Sequence, residues 1–442
     1  MLLRNATLAD GRRVDVRIAD GRIDAVGTDL TGAPPVDVSG LHLLPGAIDV
    51  HVHFRDPGFP QKETWATGSR SAAAGGVTTV VDQPNTDPPT VTGAAFDEKV
   101  ERAAESIVDF GINGGVTPGW EPDTLFDRPL FALGEVFLAD STGDMGIDIE
   151  LFETAVERAT SAGTVVTVHA EDASLFDDSV RNRTDAAAWS AFRTPEAEVA
   201  AVERACRVGR RLGASLHIAH TSTVGGIDAA VEAGATCEVS PHHLLLSTDD
   251  LSDLGTFGRM NPPLRSEAER ALIADRVRSG RVAVIATDHA PHTREEKQTD
   301  IWSAPSGVPG VETMLPVLLA EHDTGRLALP RIVELVATNP AHIFDLPRKG
   351  RIRPGADADL VLVDLDLTRE IRGEELHSRC DWTPFEGWSG VPVLATVLRG
   401  RVIYRDRALA DRVTDPDSVL VDGPTGPTDD ARGRSVRRSS TT

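Results

Sequence analysis

From Leu41 onward, short apolar segments alternate with amphipathic segments, and this alternation limits the possible folds more than any other feature of the sequence. The segments 147–161, 196–212 and 266–279 have the apolar spacing of helices. Eight strand-then-helix units are typical of an α/β fold, the (β/α)8 barrel, whose functional residues lie at the C-terminal ends of its strands. The candidate strands are Gly46–Phe54, Thr78–Gln83, Val108–Gly114, Phe131–Ala139, Thr164–His169, Ser215–His220, Ala235–Ser240 and Arg281–Thr287. A doubly wound sheet would instead carry a glycine-rich phosphate motif after its first strand, and this chain has none there.

Both ends of the chain have a different pattern from the middle. Residues 1–40 contain short alternating strands and Asp-Gly turns, and Ala358–Asp364 and Ala395–Tyr404 resemble them. We therefore expect a small β-sandwich domain built from residues 1–44 and 345–410, around a barrel of residues 45–344. Residues 411–442 are rich in Asp, Pro, Gly, Ser and Arg, a composition that predicts a disordered tail.

Composition excludes several classes of function. The net charge is −23, and only four of the 45 basic residues are lysine, which indicates an acidic, solvated surface suited to a salt-rich cytoplasm. An acidic surface that binds a partner is the alternative, but nucleic acid would be repelled. No apolar run approaches the ~20 residues that span a bilayer. The three cysteines are far apart, so we expect neither disulfides nor a thiolate metal site, and a cytoplasmic location.

Histidines stand at the end of the first candidate strand. His51 and His53 are two residues apart, so both project to the same side, into the mouth of the barrel. Two imidazoles placed in this way can bind one metal ion. Arg55 continues the alternation and would reach an anion beside that metal. A lone His-x-His pair is weak evidence, because alternating surface histidines also occur by chance.

Three further strand ends carry metal-binding residues: His169, His220 and Asp288. With the first pair they form a set of imidazole and carboxylate ligands that suits Zn²⁺ and leaves room for water. The alternative is a set of unrelated polar residues at loop starts, which their shared location makes the weaker interpretation. Alternation turns His217 away from His220, so we expect it to pack or to support a ligand from behind. The neighbouring pair His242 and His243 could also support ligands.

Several motifs, in this order, resemble the dihydroorotase family of the amidohydrolase superfamily. The resemblance covers roughly residues 1–405, including Gly350–Asp364, which is similar to the closing segment of the superfamily's small β domain. The motifs are His51–Gly58, Gln83-Pro84-Asn85-Thr86, Ser240-Pro241-His242-His243-Leu244, Asn261-Pro262-Pro263-Leu264-Arg265 and Thr287–His292.

The resemblance implies a reaction and a set of roles. The reaction is the reversible cyclisation of N-carbamoyl-L-aspartate to L-dihydroorotate, a step of pyrimidine synthesis, with two zinc ions that activate a hydroxide. His51, His53 and Asp288 would hold the first zinc, and His169 and His220 the second. Asp288 would also carry the proton to the departing nitrogen. The substrate carboxylate would be bound by Arg55, Asn85 and His292, and Asn261 lies in a segment that contacts the pyrimidine ring. The implied partner is this small molecule, and a homo-oligomer is left open.

The chain departs from the superfamily at the group that bridges the metals. Many members use a carboxylated lysine on the fourth strand, but this chain has no lysine between Lys99 and Lys297. Glu135 lies in an apolar run of that strand, where an unpaired carboxylate would be costly to bury. We expect Glu135 to bridge the metals. Asp140, just after the strand, is the competing bridge, and an ion pair between Glu135 and an arginine is the structural alternative.

Two rival functions share parts of this pattern. Allantoinases and dihydropyrimidinases or hydantoinases have the same histidine framework, but their substrates do not require an arginine such as Arg55 for a carboxylate. A non-catalytic scaffold homologue would be expected to have lost metal ligands, and here all five His and Asp candidates are present.

Overall fold

The computed structural model describes residues 1–32, 35–140, 145–413, 420, 425–428 and 432–437. The chain begins with five short strands. Between the second and third, Asp20 and Gly21 both have positive φ angles (50° and 75°) and form the tight turn that the Asp-Gly pair predicts. The five are β1 (Leu2–Thr7), β2 (Arg13–Ala19), β3 (Arg22–Gly27), β4 (Pro35–Asp37) and β5 (His42–Pro45).

Eight parallel strands follow and form the layer that positions the site. They are β6 (Ala47–Val52), β7 (Val77–Asp82), β8 (Asp109–Ile112), β9 (Leu133–Phe137), β10 (Val166–His169), β11 (Leu216–Ile218), β12 (Thr236–Val239) and β13 (Val284–Ile285). They pair in chain order as a three-stranded sheet, β6-β7-β8, and a five-stranded sheet, β9 to β13. Parallel bridges link the edges of the two sheets, Gly114 with Leu133 and Val52 with His289.

All eight predicted strands occur, and most are shorter than the sequence pattern predicts. The largest difference is at β13, which ends before Thr287. The backbone N–H and the hydroxyl of Thr287 both donate to the carboxylate of Asp49, at 3.0 and 2.5 Å. Asp288 then adopts a positive φ of 47°. The chain therefore leaves the sheet two residues earlier than the sequence pattern predicts.

Helices lie between the strands and cover the sheets with their apolar faces. The longest, Pro195–Leu212, begins after the capping Thr194 and ends at Gly213, whose left-handed backbone (φ 68°) stops the helix. The three predicted helices occur at 149–161, 195–212 and 267–278. The α-helices are Trp65–Ala74, Gly93–Ala103, Pro122–Phe126, Ile149–Ser161, Ala188–Phe192, Pro195–Leu212, Val224–Glu232, Pro241–Leu245, Leu251–Leu254, Glu267–Arg278, Arg294–Lys297, Met314–Asp323, Leu329–Val333 and Asn339–Ile343, with a π-helical turn at Glu334–Thr338.

The remaining strands return to the N-terminal ones. Backbone pairing joins both ends of the chain in one nine-stranded sheet, in the order β19-β18-β17-β14-β5-β1-β2-β3 with β4 beside β1. The sequence predicts a two-layered sandwich for these segments. Backbone pairing instead connects all nine strands in one continuous sheet and does not divide them into two layers. A second apolar core that includes Leu3, Val16 and Leu362 lies against this sheet. The strands are β14 (Leu360–Val363), β15 (Arg369–Glu370), β16 (Ser389–Gly390), β17 (Val393–Leu398), β18 (Arg401–Arg405) and β19 (Gly426–Pro427), of which β15 and β16 pair only with each other.

Parts of the predicted tail make backbone contacts with the folded chain. Phe110 exchanges backbone hydrogen bonds with Arg434 (3.0 Å) and Val436 (2.8 Å). Leu420 is fully buried, and Gly426–Pro427 pairs with β18. These residues depart from the predicted disorder. Residues 414–419, 421–424, 429–431 and 438–442 of that segment lie outside those described. In the described part of the chain, no helix combines the length and apolar character needed to cross a membrane.

Candidate metal centre and substrate pocket

Three of the predicted ligands converge at the C-terminal end of β6. His51 on β6 and His53, directly after its end, project to the same side, with ring centroids 5.3 Å apart. The Oδ1 atom of Asp288 lies 3.0 Å from His53 Nε2 and 3.6 Å from His51 Nε2. One donor atom from each of the three residues lies within 4.8 Å of the other two, and all three residues are buried. The three side chains are therefore close enough together to hold one metal ion.

Glu135 lies between the histidines of the two sheets. From β9, its Oε1 atom lies 2.5 Å from His220 Nε2 and 3.0 Å from His169 Nδ1. Its Oε2 atom lies 3.3 Å from His51 Nε2. His51, Glu135 and His220 form a second group whose donor atoms lie within 4.8 Å of one another. The Glu135 carboxylate therefore contacts ligands of both predicted ions, as a bridging group must.

The competing bridge lies outside this cluster. Asp140 is exposed, and its Oδ1 atom accepts a hydrogen bond of 2.6 Å from the backbone N–H of Gly146. Its side chain has no contact with the histidines among the described residues.

The histidine and carboxylate side chains of this cluster fit a metal ion. His51 Nε2 is buried and has no hydrogen-bond partner in the described structure, although it faces the carboxylates of Glu135 and Asp288. A buried polar atom without a partner is costly, and a metal ion held between these groups would satisfy it. Imidazole nitrogens and carboxylate oxygens are the donors that zinc prefers in catalytic sites.

Glu238 is a second buried carboxylate at this site, and it contacts His51 on the ring nitrogen that faces away from Glu135 and Asp288. The sequence analysis did not identify it. Glu238 on β12 accepts from His51 Nδ1 (2.6 Å), from His217 Nε2 (3.1 Å) and from the backbone N–H of His220 (3.2 Å). His217 thus faces away from the ligands, as its position in the strand predicts, and supports one of them through Glu238. The signal for Glu238 was available, because it is a carboxylate inside an apolar strand, as Glu135 is.

His169 has a similar support on its far side. Its Nε2 atom lies 2.9 Å from Glu171 Oε2, and Arg193 donates to the same carboxylate with Nε–Oε distances of 3.0 and 3.1 Å. Burial raises the pKa of Glu171, but Arg193 and His169 outweigh it and hold the pKa well below its usual range. Glu171 is therefore ionised and binds the Nε2 proton of His169. The other ring nitrogen, Nδ1, faces Glu135 Oε1 at 3.0 Å.

Asp288 is ionised at neutral pH. Burial raises the pKa of this carboxyl, but the hydrogen bond with His53 and the nearby charges of His51 and His53 lower it to about 2. Asp288 also lines the cavity in front of the ligands. It is therefore placed to bind metal and to accept a proton from a group in that cavity.

The cavity beside the ligands contains a buried cation. Arg55 is 2% exposed and adopts a positive φ of 61°, a conformation that is rare for residues other than glycine. Among the described residues no carboxylate lies within 4.0 Å of its guanidinium. Burial lowers the pKa of Arg55 only to about 10, so it stays charged. An unpaired buried charge at the edge of a cavity indicates an anionic ligand. The cavity is lined by His53, Arg55, Asn85, Glu135, Phe137, His220, Asn261, Asp288, Ala290, Ser306 and Gly307.

The other predicted substrate residues surround Arg55 and have additional contacts. Asn85 Oδ1 lies 2.6 Å from His53 Nδ1, so Asn85 also orients a predicted metal ligand. Asn261 Oδ1 accepts from Trp189 Nε1 at 2.9 Å. His292 lies behind Arg55, with 3.4 Å between its Nε2 atom and Arg55 Nη2. Burial lowers the pKa of His292 to about 3, so this ring is neutral.

The remaining histidine pair supports the loop of Asn261. Ser240 Oγ lies 2.7 Å from His242 Nε2 and 2.7 Å from His243 Nδ1. His243 Nε2 donates to the carbonyl of Pro262 at 2.9 Å. The pair therefore fixes the segment that carries Asn261, and these contacts do not include the predicted metal ligands.

The chain is similar in sequence to known dihydroorotases and in structure to a hydantoinase. Residues 42–403 match the model of the Amidohydrolase family. The chain is 64% identical over 405 residues to a dihydroorotase of Halobacterium salinarum, covering 91% of this chain and 96% of that protein. It is 41% identical to a dihydroorotase of Methanosarcina mazei, covering 89% and 91% of the two chains. Among solved structures, an L-hydantoinase (dihydropyrimidinase) from Arthrobacter aurescens superimposes with a TM-score of 0.90 at 28% identity, covering 99% of each chain.

Proposed function

This chain belongs to the dihydroorotases of the amidohydrolase family, and from that premise we propose that it interconverts L-dihydroorotate and N-carbamoyl-L-aspartate with two zinc ions. The family membership rests on the sequence identity and on the family match over most of the chain. The metal, its number and the roles of single residues are our inference from the geometry.

We infer that the eight parallel strands close into a barrel whose mouth holds the metal ions. The bridges at both sheet edges support this closure. His51, His53 and Asp288 would hold one ion, His169 and His220 the other, with Glu135 between them. When bound, such ions lower the pKa of a coordinated water and polarise the amide carbonyl.

The protein's own residues would orient the substrate and move the proton. Asp288 lines the cavity as an ionised carboxylate, so it can accept the proton of the attacking water and deliver it to the departing amide nitrogen. Ring closure would use the same group in the opposite direction. His51 and His169 are held by Glu238 and Glu171, so both imidazoles present a fixed nitrogen toward the ligand cluster.

The observation that carries the choice of substrate is the buried charge of Arg55. Dihydroorotate has a carboxylate outside the reacting amide, and a guanidinium can bind it with two parallel hydrogen bonds. Dihydrouracil and hydantoin have no such group. A pocket for them would leave the Arg55 charge buried without an anion.

Replacing Arg55 tests this assignment. Removing a charge-assisted contact costs about 1.5–3 kcal/mol, or roughly 10- to 150-fold. We expect Arg55→Met to lower kcat/KM for dihydroorotate by this factor, with unchanged metal content and a much smaller effect on dihydrouracil. Arg276→Met is the control, because Arg276 is an arginine outside the cavity lining that has a carboxylate partner, Asp228, at 2.8 Å.

The rival function is that of a hydantoinase or dihydropyrimidinase, and the structural similarity to the Arthrobacter aurescens enzyme favours it as the second candidate. It would be supported if the wild-type protein preferred dihydrouracil or allantoin to dihydroorotate. Equal slowing of dihydroorotate and dihydrouracil in Arg55→Met would also contradict the carboxylate assignment.

A further inference from the structure

Lysine is rare in this chain, and most of its lysines are buried. Three of the four lysines, Lys99, Lys297 and Lys349, are at most 8% exposed. Two of them have carboxylate partners: Lys99 lies 2.7 Å from Asp82, and Lys349 lies 2.6 Å from Asp359. Lys297 differs, because no described carboxylate lies within 4.0 Å of its ammonium group.

The Lys297 ammonium is surrounded by backbone carbonyls. Its Nζ atom donates to the carbonyl oxygens of Arg259 (2.9 Å), Pro305 (2.9 Å) and Gly307 (3.1 Å). Burial lowers the pKa of Lys297 well below its usual range. Three carbonyl oxygens nevertheless face Nζ, and only the protonated amine has three N–H donors, one for each of them. The side chain is fully buried, and Trp382 lies beside it with its ring centroid 5.7 Å from Nζ.

The three carbonyls belong to two segments that line the cavity. One segment, 259–261, ends in Asn261, and the other, 305–307, includes Ser306 and Gly307. The two segments contact each other directly, since Gly307 N–H donates to the Arg259 carbonyl at 3.0 Å. We call them together the carbonyl clamp.

The second segment also contacts the loop of Asp288. Gly307 has a φ of 134°, and a Cβ atom there would lie 2.6 Å from the carbonyl oxygen of Ala290. The carbonyl of Ser306 accepts from His292 Nε2 at 3.0 Å. A shift of the carbonyl clamp would therefore change the substrate side of the cavity, while the histidine ligands on the strands would stay in place.

We propose that Lys297 is a positioning residue for the substrate: its ammonium holds the carbonyl clamp in the conformation that binds dihydroorotate. This inference rests on the proposed function. Lysine suits the role because it is a compact charge with three donors in a tetrahedral arrangement. A planar guanidinium cannot direct three N–H groups at these three carbonyls from the same point.

The test is steady-state kinetics with dihydroorotate on four proteins: wild type, Lys297→Met, Lys297→Gln and Lys297→Arg. We expect Lys297→Met to raise KM about tenfold or more, because small displacements of positioning groups are costly, with kcat changed by less than about threefold. Lys297→Gln keeps two N–H donors and should give an intermediate KM. Lys297→Arg should resemble Lys297→Met. Metal content, measured by elemental analysis, should equal that of wild type throughout.

Lys349→Met is the matched control. It also removes a buried lysine, but one bound to Asp109 and Asp359, whose side chains are not among those lining the cavity. It should lower the melting temperature and leave KM unchanged.

Three results would overturn the proposal: an unchanged KM in Lys297→Met, a wild-type KM in Lys297→Arg, or a KM increase of the same size in Lys349→Met. If Lys297→Met does not fold, the comparison of Lys297→Gln with Lys349→Met decides. Failure of the proposed function is a separate result, since wild type itself would then not turn over dihydroorotate.

Discussion

The Nδ1 atom of His51 lies 2.6 Å from the Oε1 atom of Glu238, although the two residues are 187 positions apart in the chain. Burial raises the pKa of Glu238, but the charge of His51 and the hydrogen bond from His217 outweigh this and hold the pKa well below its usual range. Glu238 therefore fixes the proton of His51 on Nδ1. The other nitrogen, Nε2, faces Glu135 Oε2 at 3.3 Å and Asp288 Oδ1 at 3.6 Å.

Glu238→Gln should weaken metal binding. The amide lacks the charge that orients His51, and such changes behind a metal ligand usually cost 10- to 100-fold in metal affinity. The measurement is metal content by elemental analysis after dialysis against a graded chelator. Glu198→Gln is the control, because Glu198 is a buried carboxylate that accepts from Ser222 and Thr223 rather than from a histidine. Equal metal retention in both variants would contradict the role of Glu238.

Glu135→Ala should lose at least one metal ion per chain and most of its activity, because its carboxylate contacts histidines of both groups. Wild-type activity should not depend on bicarbonate, since no lysine has to be carboxylated. Asp140→Ala, which removes the exposed carboxylate of the neighbouring loop, should retain its metal. Full metal content in Glu135→Ala would contradict the assignment of Glu135 as the bridge between the metal ions.

Asp288→Asn should abolish turnover and leave the fold intact. Groups that transfer a proton in the transition state usually contribute 10²- to 10⁴-fold to the rate, and an amide cannot accept that proton. Circular dichroism and kcat for both directions of the reaction are the measurements. Residual activity above about a tenth of wild type would exclude Asp288 as the proton carrier.

Lys99→Met should lower the free energy of unfolding by about 3–5 kcal/mol, because it leaves the buried carboxylate of Asp82 without its cation. Asp82 also accepts from the backbone N–H of Phe54 at 2.6 Å, next to the ligand His53. Urea unfolding gives the measurement. Arg128→Met, at an exposed pair with Asp97, should cost less than about 1 kcal/mol. Similar losses in both variants would contradict the expected effect of burial.

The sequence pattern was sufficient for the strands and for the clustering of the ligands. Parallel strands end on one face, so residues such as His51 and Asp288 meet there whatever the loops between them do. The position of Glu135 could also be predicted, because its apolar neighbours make an unpaired carboxylate costly.

Contacts between distant segments could not be predicted in the same way. The pairs Glu171 with Arg193 and Glu238 with His51 depend on which side chains face each other across strands and helices, and no local spacing encodes this. No sequence feature predicted the contacts of Lys297, because its partners are backbone carbonyls and every residue has one. The contacts of Phe110 with Arg434 and Val436 likewise depend on where the chain returns, which composition does not specify.

The predicted metal ligands come from both parallel sheets, so a bound ion would link the two sheets. His53 and Asp288 are 235 residues apart and meet across a sheet edge, where the backbone supplies only a few bridges. Metal ions shared between the sheets would act as a clasp that the unfolded chain cannot form, so their binding energy adds to the stability of the native state. A chelator should therefore lower the melting temperature and the activity together, because the same side chains would link the two sheets and carry out the chemistry.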